Sequence, residues 1–257
     1  MTPRRISVPT ATRAPTGETS AYVLGSDDAL LVDPATLTDD LETAIVEADV
    51  GHLAVTHHHP DHVGAVAEVA RTFDFTVWAR AGRSAAFADA TGLTPDRTFS
   101  PGETVPAADG VAVVDTPGHA PEHTAFAVDN GLVAGDLAVA EGSVVVGAPE
   151  GDMRAYLSSL RRVAARAPDR LYPGHGPVVE DPRATCHRLI AHRLQRERTV
   201  VTAVADGATT ADDIVDAAYD KDVSAVRDLA RATVVAHLEK LAVEGRVRWD
   251  GERAAPV

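Results

Sequence analysis

The sequence predicts an α/β protein that carries a small helical domain at its C-terminal end. In the N-terminal part, short apolar runs of strand length alternate with segments of helical periodicity. From Asp181-Pro182 onward the pattern is helical almost to the end of the chain. We therefore place a first domain at residues 1–180 and a second domain at residues 181–257.

Strand signals recur through the first domain and end in polar residues. The apolar runs of strand length cover residues 20–24, 29–32, 53–56, 111–115, 124–128, 131–134 and 170–172. The first two are separated by the turn residues 25–28, which predicts a hairpin. Helical spacing follows at residues 63–73 and again at residues 153–165. Polar residues cluster just after the strands, and functional residues commonly lie on such loops.

The second domain has the pattern of three helices followed by a β-ribbon. The helices are predicted at residues 183–204, 210–218 and 224–244. Thr210 followed by Asp213 resembles a capping box, and Gly245 is suited to end the third helix. Val247–Trp249 then runs into Asp250-Gly251, which is a strong hairpin-turn signal. This is the outline of a winged helix.

The amino-acid composition indicates the environment of the protein more clearly than it indicates the binding partners. The 257-residue chain has a net charge of −14 and only two lysines, Lys221 and Lys240. Such a surface is typical of a protein from a salt-filled, halophilic cytoplasm. A strongly acidic protein ordinarily avoids nucleic acid. In molar salt, however, the Debye length falls to about 3 Å, so local charge is more informative than net charge.

The first 16 residues are polar and lack the apolar core of a secretory signal. No run approaches the roughly 18 apolar residues of a membrane span. Cys186 is the single cysteine, so an intramolecular disulfide is impossible. We expect a cytoplasmic protein that does not enter a membrane.

The segment Thr56-His57-His58-His59-Pro60-Asp61-His62 gathers metal-ligand side chains at a strand end. Imidazoles and carboxylates suit Zn²⁺, Fe²⁺ or Mn²⁺. Two histidines at i and i+2 can share one ion, while Asp61 and His62 at a helix start can face a second.

This segment resembles the T-H-x-H-x-D-H motif of the metallo-β-lactamase superfamily. The segments around Asp33, His119, Asp136 and His175 resemble the other motifs of that superfamily, in the same order along the chain. The resemblance implies a four-layer αββα fold and a binuclear metal site. It implies that His57, His59 and His119 hold one divalent ion and that Asp61, His62 and His175 hold the other. Asp136 would bridge them beside a hydroxide that acts as the nucleophile, and Asp33 would brace the metal loop. We expect two ions, zinc in the first place and iron or manganese as alternatives.

Three residues are candidates for catalysis: Asp61, Asp136 and His123. His123 follows His119 by four positions and could assist the metal site or donate a proton to the leaving group. Asp136 argues against a penicillin-cleaving enzyme, in which this position typically holds a softer ligand such as cysteine. Glyoxalase-II-like thioesterases, lactonases and nucleases of the superfamily share the motif seen here.

The C-terminal region resembles the winged-helix tail of the β-lactamase-like-protein-2 family. The resemblance rests on the loop 172–177, on His192-Arg193 with Arg196-Glu197, and on residues 236–241 and 244–247. Members of that family are known or proposed to cut single-stranded RNA. A single-stranded RNA endonuclease is therefore our first functional hypothesis. The alternative is a thioester or lactone hydrolase of glyoxalase-II type that acts on a small metabolite.

Arg188, His192 and Arg196 form one stripe on the predicted helix after His175. The stripe could bind substrate phosphates, or it could pair with the protein's own acidic groups. The winged helix could bind nucleic acid, cover the site or form a homodimer. A regulator with a vestigial metal domain and a mononuclear iron dioxygenase also remain open.

Overall fold

Two β-sheets pack face to face in the computed structural model, which describes residues 1–219 and 222–257. The first sheet has the order β1-β2-β3-β4-β5-β6 and the second the order β11-β10-β9-β8-β7. The strands of the first are β1 (Arg4–Pro9), β2 (Glu18–Leu24), β3 (Ala29–Val32), β4 (Val50–Ala54), β5 (Thr76–Arg80) and β6 (Arg97–Phe99). Those of the second are β7 (Thr104–Val105), β8 (Val111–Asp115), β9 (Thr124–Val128), β10 (Gly131–Gly135) and β11 (Arg170–Pro173).

Helices cover the outer face of the first sheet. They are α1 (Asp39–Glu47), α2 (Pro60–Val63), α3 (Val66–Phe73) and α4 (Ser84–Thr91). Thr38 caps α1 by accepting a hydrogen bond from the amide of Leu41, and acidic residues in its first turn favour the helix dipole. Leu41, Val69 and Phe87 are fully buried in the core beneath these helices. Residues at alternate positions of β2 and β3 join the same core, as the period of a strand requires.

A second core lies between the sheets. Tyr22 and Leu24 of β2 point into it, whereas Val23 between them points to the outer core. Phe126 and Val133 of the second sheet complete it. On the far side of the second sheet, α5 (Met153–Arg166) and the start of α6 (Pro182–Ala205) form a third core. The four-layer αββα order is thereby confirmed.

The C-terminal region is the predicted set of three helices and a ribbon: α6, α7 (Ala211–Ala218), α8 (Arg227–Val243), β12 (Val247–Trp249) and β13 (Ala254–Pro256). The capping box of Thr210 and Asp213 is formed. Gly245 adopts φ 67° at the end of α8. The third helix begins at Arg227 after a single 3-10 turn at Ser224–Val226, later than predicted.

Helix α6 contributes to two cores. Cys186 and Leu189 pack with α5 in the third core, whereas Val200 and Val204 pack with α7 and α8. The domain boundary at 180/181 therefore stays a prediction. Among the described residues, no helix is both long and apolar enough to cross a membrane.

Candidate metal centre

Six of the seven candidate ligands lie in segments that follow parallel strands, whereas His119 follows β8, which pairs antiparallel with β9. β3 and β4 are parallel neighbours in the first sheet, and β10 and β11 are parallel neighbours in the second. Because the carboxyl ends of parallel strands lie side by side, the loops that follow them are brought together. The side chains that these loops and α2 contribute are His57, His59, Asp61, His62, His119, Asp136 and His175.

Three imidazole nitrogens converge at the first position. His57 Nε2 lies 3.1 Å from His59 Nδ1, and His119 Nε2 lies 2.9 Å from the same His59 atom. A tetrahedral zinc ion with nitrogen ligands at about 2.0–2.1 Å needs donors roughly 3.3 Å apart. The spacing of these nitrogens is therefore close to what one ion requires.

Asp61, His62 and His175 form a second group, whose donor atoms lie within 4.8 Å of one another. Asp136 stands between the groups. Its Oδ2 is 3.6 Å from Nε2 of both His119 and His175, and its Oδ1 is 3.6 Å from His62 Nε2. This position is what the predicted bridging role requires.

The outer nitrogen of each of the five ligand histidines has its own partner, which leaves the inner lone pair free. Thr56 Oγ1 donates to Asp33 and so can accept from His57. The outer nitrogens and their partners are His57 Nδ1 with Thr56 Oγ1, His59 Nε2 with Glu150, His62 Nδ1 with Asp33, His119 Nδ1 with the carbonyl of Val145, and His175 Nδ1 with the carbonyl of Glu18. Such partners determine the tautomer and orient metal-binding imidazoles.

Two inward-facing atoms lack hydrogen-bond partners. His62 Nε2 and Asp136 Oδ1 are buried and unpaired in the described part of the chain. An unsatisfied buried polar atom is costly, and a cation between these two would satisfy both. The donor set and its orphaned atoms thus fit divalent metal ions, as the sequence predicted.

Asp33 has the bracing position that the resemblance implies. Its carboxylate accepts from the amide and hydroxyl of Thr56 and from His62 Nδ1, at 2.7, 2.7 and 2.9 Å. Its backbone has φ 55°, a left-handed conformation that aspartate tolerates better than most residues. One buried carboxylate therefore orients the loop that carries His57 and one ligand of the second group.

Gly174, which precedes the last histidine, lies too close to the ligand cluster for a side chain. A Cβ at this position would lie 2.5 Å from His62 Cε1 and 2.7 Å from Asp136 Oδ1. Any larger residue would push into the ligand cluster. The Pro-Gly-His run is therefore needed for close approach as well as for its turn.

Of the two roles predicted for His123, assisting the metal site and donating a proton, its position fits only the first. It is fully buried and does not line the cavity at the metal centre. Its Nε2 accepts from the amide of Asp136, and its Nδ1 pairs with Thr116 Oγ1. Burial lowers the pKa of His123 to about 3, which keeps it a neutral acceptor. The hypothesis of a proton donor is corrected: His123 positions the backbone of Asp136.

The two ligand groups differ in charge. Burial and neighbouring imidazoles lower the pKa of His57 well below its usual value. Burial also opposes the charge of His62, but Asp33 and Asp136 outweigh it and raise the pKa of His62 to about 10. Hydrogen bonds from His175 and Thr12 overcome burial and hold the pKa of Asp61 at about 2. A cation that binds beside His62 therefore takes the place of a proton.

A cavity of about 860 Å³ opens from the cluster. Its walls are the loop 11–16, the loop 139–150, the residues 175–177, and Leu229 and Ala232 of α8. Most of the lining is alanine, valine, proline and glycine. Among the side chains that the structure describes, Arg13 is the only lysine or arginine that lines it. Sequence reasoning missed this wall because Leu229 and Ala232 lie far along the chain from the ligands.

The predicted phosphate-binding stripe is not part of the cavity. Arg188 donates to the carbonyls of Val139, Ala140 and Gly142. These hydrogen bonds hold the cavity loop in place from the side that faces away from the cavity. Arg196 donates to the carbonyl of Ala218 and stacks on Tyr219 at 3.7 Å. His192 lies on the exposed side of the helix. The substrate-binding role predicted for the stripe is corrected, because its guanidinium groups are committed to the protein's own backbone.

The fold and the ligand cluster define a metal-dependent hydrolase with an αββα core. The chain belongs to the metallo-β-lactamase superfamily: residues 14–175 match that superfamily and residues 210–254 match the beta-lactamase associated winged helix domain. It is 31% identical over 252 residues to beta-lactamase-like protein 2 homolog of Drosophila melanogaster, covering 90% of this chain and 84% of the relative.

Two further proteins are similar to this chain. Thioesterase pkgB of Emericella nidulans is 32% identical over 163 residues, which are 62% of this chain and 44% of the relative. The crystal structure of a metallo-beta-lactamase family protein from Thermus thermophilus superposes with a TM-score of 0.79 at 25% identity and covers 98% of each chain.

Proposed function

We propose that this protein hydrolyses a small acyl ester, thioester or lactone whose acyl part is largely apolar. The observation that carries the proposal is the cavity beside the ligand cluster, with its valine, alanine and proline walls. Apolar lining with a few placed polar groups is typical of a small-molecule site. The name of the relative Thioesterase pkgB agrees with this chemistry.

The same cavity disfavours the RNA endonuclease hypothesis. Nucleic-acid sites use lysine and arginine to neutralise phosphates. Here, acidic Glu141 and Glu150 line the cavity, whereas Arg188 does not line it and its guanidinium is bound to backbone carbonyls of the loop 139–142. A strand of RNA would meet negative charge close to the ligand cluster.

Helix α8 corresponds to the recognition helix, which lies in the DNA groove when a winged helix binds nucleic acid. In this chain that helix is covered. Val234, Ala236, His237, Leu238 and Leu241 are all buried. Ala232 also accepts a hydrogen bond from the amide of Ala148 in the cavity loop. The helix therefore serves as a wall of the cavity, and too little of it is free for a groove.

We expect zinc in both positions, with iron or manganese as alternatives, because the donors are imidazoles and carboxylates. Two bound divalent ions would supply Lewis acidity and a water that is nucleophilic at neutral pH. In the reaction, water adds to the acyl carbon, the C–S or C–O bond breaks, and a carboxylic acid and a thiol or alcohol are released.

The chain's own groups prepare that site. Thr12 Oγ1 donates to Asp61 Oδ2 at 2.5 Å, which orients this carboxylate. His123 holds the amide of Asp136, and Asp33 holds His62. The valines of the loop 139–145 keep water away from an acyl chain that lies against them. Positioning of this kind lowers the barrier only if the supporting hydrogen bonds persist.

The test compares two substrates on one metal-replete preparation. We expect hydrolysis of an acyl thioester of N-acetylcysteamine and no cleavage of a short single-stranded RNA of mixed sequence. Asp136→Asn, treated identically, serves as the blank for contaminating activity. Cleavage of RNA by the parent but not by this variant, without thioester hydrolysis, would establish the nuclease instead.

A further inference from the structure

Arg13 stands out in the cavity, because the other charged side chains that line it close to the ligand cluster are carboxylates. Asp61, Glu141 and Glu150 are acidic, whereas Arg13 contributes a guanidinium and its side chain is largely exposed to solvent. Arg13 lies in the loop between β1 and β2, directly after Thr12, which contacts Asp61. The loop therefore links the ligand cluster to the position of this guanidinium.

The guanidinium holds a carboxylate in a two-point contact. Arg13 Nη1 and Nη2 donate to Asp228 Oδ2 and Oδ1 at 3.2 and 3.0 Å. Asp228 lies at the start of α8, one residue before Leu229 of the cavity wall. The planar fork of arginine matches a carboxylate in this geometry. The protein's own aspartate thus displays the ligand chemistry that Arg13 is oriented to accept.

The contact is easily exchanged. The side chains of Arg13 and Asp228 are 58% and 64% exposed. Exposed ion pairs contribute little free energy and are screened by salt. A substrate anchored elsewhere in the cavity would compete for the guanidinium at a high local concentration.

We propose that Arg13 is a specificity-determining residue that binds a carboxylate at the far end of the substrate, in exchange for Asp228. This deepens the proposed function, on which it rests: the substrate is an acyl thioester or ester with an apolar middle and a terminal carboxylate. The apolar walls would hold the methylene chain, and the ligand cluster would hold the scissile group.

The test uses thioesters of N-acetylcysteamine with acyl chains of equal length that end in either a carboxylate or a methyl group. The measured quantity is the ratio of kcat/KM for the carboxylate substrate to that for the methyl substrate. We expect the parent to prefer the carboxylate by about tenfold or more, mainly through KM, as a charge-assisted contact allows.

The variants should change that ratio in opposite directions. Arg13→Gln removes the guanidinium, so the ratio should fall about tenfold. Asp228→Asn removes the internal competitor, so the ratio should rise several-fold. Arg231→Gln is the matched control, because it breaks an exposed ion pair between α8 and Asp212 of α7, and it should keep the parent's ratio. Calorimetric binding of the free dicarboxylate should follow the same order.

The outcomes are distinguishable. If Arg13→Gln and Asp228→Asn shift the ratio equally, or neither shifts it, the pair is only a tether and the inference is wrong while the proposed function stands. If the parent hydrolyses neither these thioesters nor the matching oxygen esters and lactones, the proposed function itself fails. Melting temperatures of the three variants check that the fold is retained.

Discussion

Two clusters of polar side chains in this protein both contain buried charged groups, but they differ in whether those groups find their partners within the protein. In the ligand cluster, imidazoles turn their unshared lone pairs toward a common space that opens on the cavity. Between α6 and α8, Glu197 accepts from Lys240 and from Arg246, and Lys240 also donates to Glu244. The first cluster is open to a ligand and the second is closed on itself.

Burial of a charged side chain does not by itself indicate a ligand-binding site. Glu197 is only 3% exposed and Lys240 only 8%, as buried as Asp136 at 8%. Glu197 has cations on both oxygens, whereas Asp136 retains an unpaired one. What distinguishes the ligand cluster is that its unpaired atoms face other ligand-type atoms within 4.8 Å.

The largest expected effect is on the open cluster. Asp136→Asn removes the negative charge placed between the two ligand groups. Turnover should fall by on the order of 10³-fold or more, and bound metal should fall from about two ions per chain. Elemental analysis and initial rates measure both. Asp89→Asn on the exposed face of α4 is the control, and full activity of Asp136→Asn would refute the assignment.

Mutations in the closed cluster should lower the stability of the fold and leave metal binding unchanged. Glu197→Gln leaves Lys240 buried without a full counter-charge, so the free energy of unfolding should fall by about 3–5 kcal/mol. Urea unfolding measures the loss. Glu244→Gln removes the more exposed partner of the same lysine and should cost about 1 kcal/mol or less. Equal losses of unfolding free energy in the two variants would contradict the distinction between buried and exposed partners. The metal content of both variants should stay at the parent's value.

A smaller effect, on metal affinity, is expected from Asp33, which supports the open cluster through hydrogen bonds. Asp33→Asn weakens the acceptors that orient Thr56 and His62, so metal affinity should fall by about 10–100-fold. Competition with a coloured chelator measures it. Asp28→Asn, beside His52 at the protein surface, is the matched control. An unchanged affinity in Asp33→Asn would mean that the ligands orient themselves without it.

His237 of α8 adds a pH dependence to the region of the closed cluster. Burial, with Arg193, Lys240, Arg196 and His192 nearby, lowers the pKa of His237 to about 3. The unfolded chain binds this proton near pH 6.5 and the folded chain does not. Stability should therefore fall as the pH drops below 6.5, by up to about 1.4 kcal/mol per pH unit.

His237→Leu should have a shallower dependence of unfolding free energy on pH than the parent between pH 6.5 and pH 4. Urea titrations at several pH values measure the difference in slope. Parallel curves for parent and variant would show that His237 is not the group responsible.

Salt should produce the mildest change and act on the surface. The net charge of −14 implies self-repulsion that salt screens, so the melting temperature of the parent should rise between about 0.1 M and about 3 M KCl. The loss caused by Glu197→Gln should be similar at both concentrations, because a buried pair is little screened. A flat or falling melting temperature in the parent would contradict the predicted adaptation to salt.

Much of the fold could be predicted because its signals are local. Strand-length apolar runs, the capping box at Thr210 and the turn at Asp250-Gly251 depend on residues close together in sequence. The late start of α8 was missed because residues 224–226 form a tight 3-10 turn, and a helical periodicity does not distinguish that turn from an α-helix.

The sequence by itself predicted the candidate ligand side chains, because each lies in a short motif directly after a strand and the motifs follow one another in the order of the metallo-β-lactamase superfamily. Only the tertiary structure decided the roles of Arg188, Arg196, His123 and Arg13. Their partners lie elsewhere in the chain or face in a direction that spacing does not define. An arginine on a helix bears the same charge whether it faces a phosphate or a carbonyl, so contact geometry alone separates a binding residue from a bracing one.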